Sequence, residues 1–316
     1  PQYVHGFEYS DGWTDDARLV ALNVRDAADH GARVRTRTRA EMLRCEDGLW
    51  IVDASDDQGH QYRFSGRSIV NAAGPAVLDF LKRADAEPDH QMRLVRGSHI
   101  VVRKIFEHDY AYFFQLPDGR IFFAIPYERD FTLIGTTDQD HDGPASEAKA
   151  SDEEIVYLCE GASLYFRTPV TPADVVWTYS GVRPLIEDGS GRPEAATRGY
   201  RIDLDLTEGA PLLTIYGGKI TSYRHVAEAA VDELVDHVRA LSGKRWTAKA
   251  PLPGGDFPTN GMAALKAEYK LASPFLTAAT VDRIARAYGT DARTWLGQAE
   301  DWDALGGEIA HGLSAA

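Results

Sequence analysis

The stretch PLLTIYGGKITSYRHVAEAAVDEL (residues 211–234) runs from an apolar segment through Gly217, Gly218, Lys219 and the hydroxyls of Thr221 and Ser222 into a helix-forming sequence. A buried strand, a tight turn and a helix in that order form the local unit of nucleotide-handling α/β folds. Glycines let backbone amides approach a ligand, and the start of the helix offers unbonded N–H groups. SIVNAAGP (68–75) is a second short apolar run that ends in small residues, as a buried parallel strand does where it meets a ligand. Both runs are expected to end at the carboxyl edge of one sheet, where open α/β folds bind their ligands. Taken alone, the first turn equally fits a tight strand-to-helix connection with a solvated lysine, and the small residues of the second equally serve close helix packing. No G-x-G-x-x-G turn accompanies either run.

Around these units the chain divides by texture. Thr14 is placed to cap a helix over 15–29, with Leu19, Val20 and Leu22 on one side and Gly31 as its stop. Residues 33–40 (RVRTRTRA) read as a strand, and LWIVDAS and HQYRFSG around the turn DDQG as a hairpin. From 93 to 138 the runs RLVRGSHIVV, AYFFQL, RIFFAIPY and FTLIGTTD follow one another without helices, which indicates an antiparallel sheet. Ser151 and Glu154 make a capping box for a helix carrying Ile155, Leu158 and Cys159. DVVWTYSGVRPL (174–185) returns as a strand, and after LPGGDF (252–257) the composition turns helical and Ala-rich. The expected fold class is therefore mixed α/β. Its segments are 1–92 (helix, hairpin and NAAGP strand), 93–185 (antiparallel sheet with one helix), 186–252 (return to the first layer with the GGK turn) and 253–316 (helical).

Composition limits the function. The 316 residues carry 34 basic against 48 acidic side chains, a net charge of −14 and an isoelectric point near 5.1, which argues against a nucleic-acid surface. A small anionic substrate held by local arginines remains compatible. Cys45 and Cys159 are too far apart in sequence to suggest a zinc knuckle or redox pair, so a reducing, cytoplasmic setting is expected. No segment approaches the ~18 apolar residues of a membrane span.

Four side chains are candidates for chemistry. Arg183, at a strand end before a proline, and Arg198 in TRGY can grip a phosphate or carboxylate bidentately, or can serve as surface ion pairs. His99, in a sheet strand, is either a structural residue or a titrating group in a cleft. Lys219 adds charge to the glycine turn. The acidic run DQDHD (138–142) reads as solvated charge and not as a metal site.

GFEYSDGWTDDARL (6–19), TRTRA (36–40), IVNAAGP (69–75), RLVRGSHIVV (93–102), IPYERDFTLIGTTD (125–138), WTYSGVRPL (177–185) and GGKITSYRHVAE (217–228) occur in this order. In them the chain closely resembles the FAD-dependent, membrane-associated glycerol-3-phosphate dehydrogenases, within the glutathione-reductase-like flavoproteins. The resemblance implies oxidation of sn-glycerol 3-phosphate by hydride transfer to FAD, with electrons passed to a quinone, peripheral attachment to the inner membrane and a homodimer. A glycerol-3-phosphate oxidase using oxygen, and a catalytically silent folding or interaction module, are the alternatives. It further implies a substrate pocket of His99, Arg183, Arg198 and Lys219, with His99, Arg183 and Lys219 catalytic. Cofactor contacts would fall at Ala40 (adenine end), Ala72, Gly74, Gly217, Gly218, Lys219 and Thr221, the amides from Gly218 to Thr221 facing the reduced flavin ring. Ala76 stands where the family usually has tryptophan, which should loosen local packing. The family's N-terminal βαβ unit with its Gly-rich ADP turn, and its last C-terminal helices, are expected to lie outside this chain, so that the chain alone should hold FAD weakly and be inactive.

Overall fold

A computed structural model describes residues 5–187, 198–206, 209–241, 243–306, 308–310 and 313–314. Residues 37–244 form one compact unit, and residues 1–36 with 245–316 form another. Among the described residues, no helix is long and apolar enough to cross a membrane.

Helix α1 (Asp16–Asp29) begins one residue later than its capping signal suggests. Asp15, not Thr14, is the N-cap: its carboxylate accepts the Arg18 N–H at 2.9 Å. None of the helix's residues is fully buried, and Val20 is exposed.

In the larger unit, β1 (Thr38–Glu46), β2 (Leu49–Asp56) and β3 (Gln61–Gly66) make an antiparallel three-stranded sheet, with the 56–60 turn where the hairpin was expected. The strand read over 33–40 starts only at Thr38, because Thr36 and Arg37 form a turn. Trp50 anchors this sheet to the next layer. It is 2% exposed, and its indole N–H is shared between the carbonyls of Ala210 and Pro211 at 3.1 and 3.0 Å. Trp50→Phe removes that donor from two buried carbonyls. Stability is expected to fall by about 1–2 kcal/mol in urea unfolding, an unmet buried acceptor being costlier than the bond itself.

The NAAGP run is a short strand, β4 (Ile69–Asn71), followed by a 3-10 turn and α2 (Val77–Arg83). The expected consecutive strands form one antiparallel sheet. They are β5 (Met92–Arg103), β6 (Tyr112–Gln115), β7 (Ile121–Tyr127), β8 (Phe131–Gly135), the two-residue β9 (Gln139–Asp140) and, after α3 (Asp152–Ser163), β10 (Val175–Ile186). The order is β10-β5-β8-β7-β6, with β9 beside β5. One face is closed by a core of Ile100, Val102, Phe122, Ala124 and Ile134 against Leu158, Cys159 and Ala162 of α3. The capping box is present: Ser151 accepts from the Glu154 amide, and Glu154 accepts from the Ser151 amide. Burial pushes the Cys159 thiol up to about 11, so it packs as an inert apolar side chain.

The opening stretch folds as read. β11 (Tyr200–Asp205) pairs antiparallel with β12 (Leu212–Gly217), β12 pairs parallel with β4, and α4 (Tyr223–Leu234) follows a 3-10 turn at Ile220–Ser222. The β4 and β12 strands thus end at the same edge of one sheet. In the other unit α5 (Met262–Ala272), α6 (Ala278–Tyr288) and α7 (Arg293–Leu296) share a core of Leu265, Tyr269, Val281, Ile284 and Leu296. A small hairpin, β13 (Glu308–Ala310) and β14 (Leu313–Ser314), follows. Of the terminal HGLSAA, residues 311–312 and 315–316 lie outside the described residues.

Candidate active site

Strand register decides which side chains meet. On β5, Val95 lies opposite Arg183, Gly97 opposite Gly181, and His99 opposite both Tyr179 and Gly135. Alternation along the strands puts Gly97, His99, Tyr179, Arg183 and Gly135 on one face, and Arg96, Ser98 and Ile100 on the face that α3 covers. His99 and Arg183, candidates from the sequence, are thus brought to the same face of adjacent strands.

Two glycines make room for them. A Cβ built on Gly97 would stand 2.7 Å from Cζ of Arg183, and one on Gly135 would stand 2.7 Å from Cγ and Nε2 of His99. The guanidinium therefore lies flat over Gly97 and the imidazole over Gly135. Tyr179 braces the imidazole from the other side, the rings stacked at 4.9 Å between centroids and 7° between planes.

Arg183 is held by three consecutive residues. Its Nη1 donates to Asp138 Oδ1 at 3.0 Å and to the Thr137 carbonyl at 3.4 Å, and its Nη2 donates to Thr136 Oγ1 at 3.2 Å. Among the described residues these contacts engage three of the five guanidinium N–H groups, leaving the Nε–H and one Nη2–H without a partner. Arg198 Nη2 stands 3.9 Å from the same Asp138 oxygen, so one carboxylate orients two cations. Burial pushes the Arg183 guanidinium down from its ordinary value; Asp138 opposes the shift and Arg198 adds to it. A partly desolvated cation beside a second one is a site that gains from a bound anion.

Gly97→Ala separates placement from stability. The clash falls on the far end of a flexible side chain, which can swing aside, so the melting temperature should stay near that of the parent. Displacing the guanidinium by about an ångström should nevertheless raise KM for an anionic substrate roughly tenfold. An unchanged KM would show that this placement is irrelevant to binding.

The two glycine turns adjoin this cluster. Gly217 (φ +69°) abuts Pro184 and Ile186 of β10, and the Gly218 N–H donates to the Gly199 carbonyl at 2.9 Å, directly after Arg198. That bond corrects one expectation: the Gly218 amide is spent inside the fold and does not face a ligand. The Lys219 N–H points to Ser222 Oγ at 3.4 Å, while Lys219 and Thr221 are exposed at the entry to α4. In the NAAGP turn Asn71 is buried, donates from Nδ2 to the Val77 carbonyl at 3.1 Å and accepts the Ala73 N–H at 3.4 Å. This holds the turn at Gly74 (φ +54°), with Ala72 exposed and the 3-10 turn packed on β10 and β12. Ala76 closes the 3-10 turn and is exposed. Ala40, on β1, packs against the cluster of Leu43, Trp50 and Val77.

A flavin fits this arrangement. Side-chain-poor backbone at Ala72–Gly74 and Gly217–Gly218 ends two parallel strands at one edge, beside the start of α4, and a flat aromatic ring can lie against such backbone where bulkier residues would hold it off.

Sequence reasoning passed over Asp138, which is not solvated: its side chain is 15% exposed and lies between two arginines. Within the same run Asp140 grips Arg93 through two hydrogen bonds of 2.6 and 2.8 Å. Among the described residues no group of His, Cys, Asp and Glu could hold a metal. Thr136, Thr137, Gly97, Gly135 and Tyr179 also escaped notice, since only strand pairing reveals what they face.

Residues 1–224 match the family model described as FAD dependent oxidoreductase. The chain is 41% identical, over 98% of its length, to the aerobic glycerol-3-phosphate dehydrogenase of Escherichia coli strain K12, and 42% identical, over 96%, to the D-erythritol 1-phosphate dehydrogenase of Brucella abortus. It covers 62% and 61% of those proteins, and so spans about three fifths of the length of the curated relatives it matches. The X-ray structure of the glycerol-3-phosphate dehydrogenase from Bacillus halodurans complexed with FAD superimposes with a TM-score of 0.76 at 27% identity, covering 90% of this chain and 55% of that one.

Proposed function

The chain belongs to the family of FAD-dependent oxidoreductases, and from that premise we propose that it forms the substrate-holding part of an enzyme oxidising sn-glycerol 3-phosphate to dihydroxyacetone phosphate. The observation that carries this reading is Arg183, flat on Gly97, tethered by residues 136–138 and paired with Arg198 through Asp138, on the same face as His99. FAD, when bound, supplies the acceptor for the hydride that leaves C2.

The residues of the chain do the rest. Arg183 uses its two remaining donors on phosphate oxygens, and Arg198 adds charge to the same end of the substrate. With the phosphate fixed, C2 has one approach to the cofactor edge, and such orientation contributes up to several kcal/mol. His99 takes the proton of the C2 hydroxyl as the hydride leaves. Lys219 places a further positive charge at the mouth of the GGK turn. Ala72, Gly74, Gly217, Gly218 and Thr221 offer the cofactor a surface without bulk, and Ala40 borders its adenine end.

A second reading has specific support, because the D-erythritol 1-phosphate dehydrogenase is as similar to this chain as the glycerol-3-phosphate enzyme. A phosphate grip serves both, and the difference is the length of polyol beyond it. The full-length protein should be assayed with both esters. A higher kcat/KM for glycerol 3-phosphate supports the first reading, a higher value for D-erythritol 1-phosphate the second, and turnover of neither overturns both. The same reading extends to a quinone as electron acceptor, with the protein a homodimer attached peripherally to the inner membrane. Faster turnover with a soluble quinone than with oxygen, and sedimentation with vesicles, would support those steps; oxygen-only turnover would place the enzyme among oxidases.

A further inference from the structure

The back of the six-stranded sheet holds a carboxylate that the chemistry above does not use. Glu154, in the first turn of α3, is 5% exposed. Its Oε1 accepts from Thr137 Oγ1 at 2.6 Å and from Ser98 Oγ at 3.0 Å. Its Oε2 accepts the Ser151 N–H at 2.9 Å and lies 2.9 Å from Arg96 Nη2. Thr137 Oγ1 in turn accepts the Ser98 N–H at 2.9 Å, and the hydroxyls of Ser98 and Ser180 are 2.8 Å apart. One carboxylate therefore ties α3, β5, β10 and the 136–138 segment together.

Its identity as Glu is informative. A capping box is satisfied by Gln as well as by Glu. A Gln amide, however, has one acceptor oxygen and two donors, whereas a carboxylate only accepts and has about four lone-pair sites. Four donors converge here, so the site demands the charged form. Burial alone would push this carboxyl up; the bonds from Thr137, Ser151 and Ser98 and the charge of Arg96 outweigh it and hold it below the usual range. A buried charge is a poor device for stability alone, since an apolar replacement often does as well.

What Glu154 holds is the tether of Arg183. Thr137 sends its hydroxyl backwards to Glu154, while its carbonyl and the side chains of its neighbours Thr136 and Asp138 reach forwards to the guanidinium. We propose that Glu154, acting through the Thr137 hydroxyl, is a positioning residue for Arg183, fixing the 136–138 segment and with it the anion grip on the opposite face of the sheet. The inference rests on the reading of Arg183 as the phosphate anchor.

Three variants of the full-length, FAD-loaded protein, with Arg183→Ala as the reference, test it. Thr137→Val keeps side-chain shape, the capping box and the carbonyl that faces Arg183 but removes the hydroxyl link to Glu154; Glu154→Gln keeps the helix cap but not all four acceptor sites. Ser151→Ala weakens the same helix cap and leaves the Ser151 N–H and Thr137 in place. For each, KM and kcat for glycerol 3-phosphate are measured, together with the melting temperature and the Kd of inorganic phosphate by calorimetry. Thr137→Val and Glu154→Gln are expected to raise KM and the phosphate Kd roughly fivefold to tenfold, with a smaller change in kcat. Ser151→Ala should lower the melting temperature and leave both constants alone. If Thr137→Val and Glu154→Gln leave KM and the phosphate Kd within about twofold of the parent while Arg183→Ala raises them, the positioning role is wrong and the anchor stands. If Arg183→Ala moves neither constant, the anchor reading falls and this inference with it.

Discussion

Arg183→Ala in the full-length enzyme is expected to lower kcat/KM for glycerol 3-phosphate by roughly two to three orders of magnitude. Among the described residues, the Nε–H and one Nη2–H of the guanidinium are not engaged, and the proposed role gives both to the phosphate. Each charge-assisted hydrogen bond is worth about 1.5–3 kcal/mol, and every 1.4 kcal/mol is about tenfold. The loss should exceed that of a neutral contact, because among the described residues Asp138 is then left with Arg198, 3.9 Å away, and its charge would repel the phosphate. Asp138→Asn added to Arg183→Ala should therefore recover part of the KM loss, a sign that a purely structural defect would not give. Arg183→Lys should recover little, since an ammonium cannot reproduce a planar fork tethered at three points. A KM within about twofold of the parent for Arg183→Ala would remove Arg183 from the substrate site, because one lost charged contact already predicts more.

Much of the fold was legible because its local signals are one-dimensional. The Ser151–Glu154 box, the PDG and DDQG turns and the strand–GGK–helix unit are each written within a few consecutive residues and each folds as such. The parallel pairing of β4 with β12 was legible only from the two runs together, since either one alone equally fits close packing or a plain turn. What could not be read is what depends on register. Gly97 and Gly135 look like ordinary strand glycines until pairing sets Arg183 and His99 against them. Asp138 sits in a run of acids whose other members pair elsewhere or face solvent, and no rule of spacing separates it from them. The Gly218 amide shows the same limit in reverse. A glycine turn before a helix advertises free N–H groups, but the Gly199 carbonyl, just ahead of the neighbouring strand β11, takes that one. Sequence proposes donors; tertiary packing decides which remain available.

His99→Gln is expected to lower the rate of flavin reduction by glycerol 3-phosphate about a hundredfold or more and to flatten the acid limb of its pH profile. General base catalysis is worth roughly 10²–10⁴ in rate, and a glutamine of similar reach can hydrogen-bond the C2 hydroxyl but cannot take its proton. The sign follows from the role. A base works only when deprotonated, so the parent should lose rate as pH falls, and a side chain that cannot exchange a proton should lose that dependence. Arg183 cannot produce the limb, because a guanidinium stays charged throughout the range. The position of the ring must be separated from its chemistry, since His99 also fills the space over Gly135 and stacks on Tyr179. Tyr179→Phe keeps the stacked ring and should leave the acid limb in place. Gly135→Ala keeps the imidazole but pushes it off its seat, and should lower the rate while preserving the limb. A His99→Gln enzyme that reduces flavin at the parental rate, with its acid limb intact, would return the histidine to a packing role and assign the proton to another group.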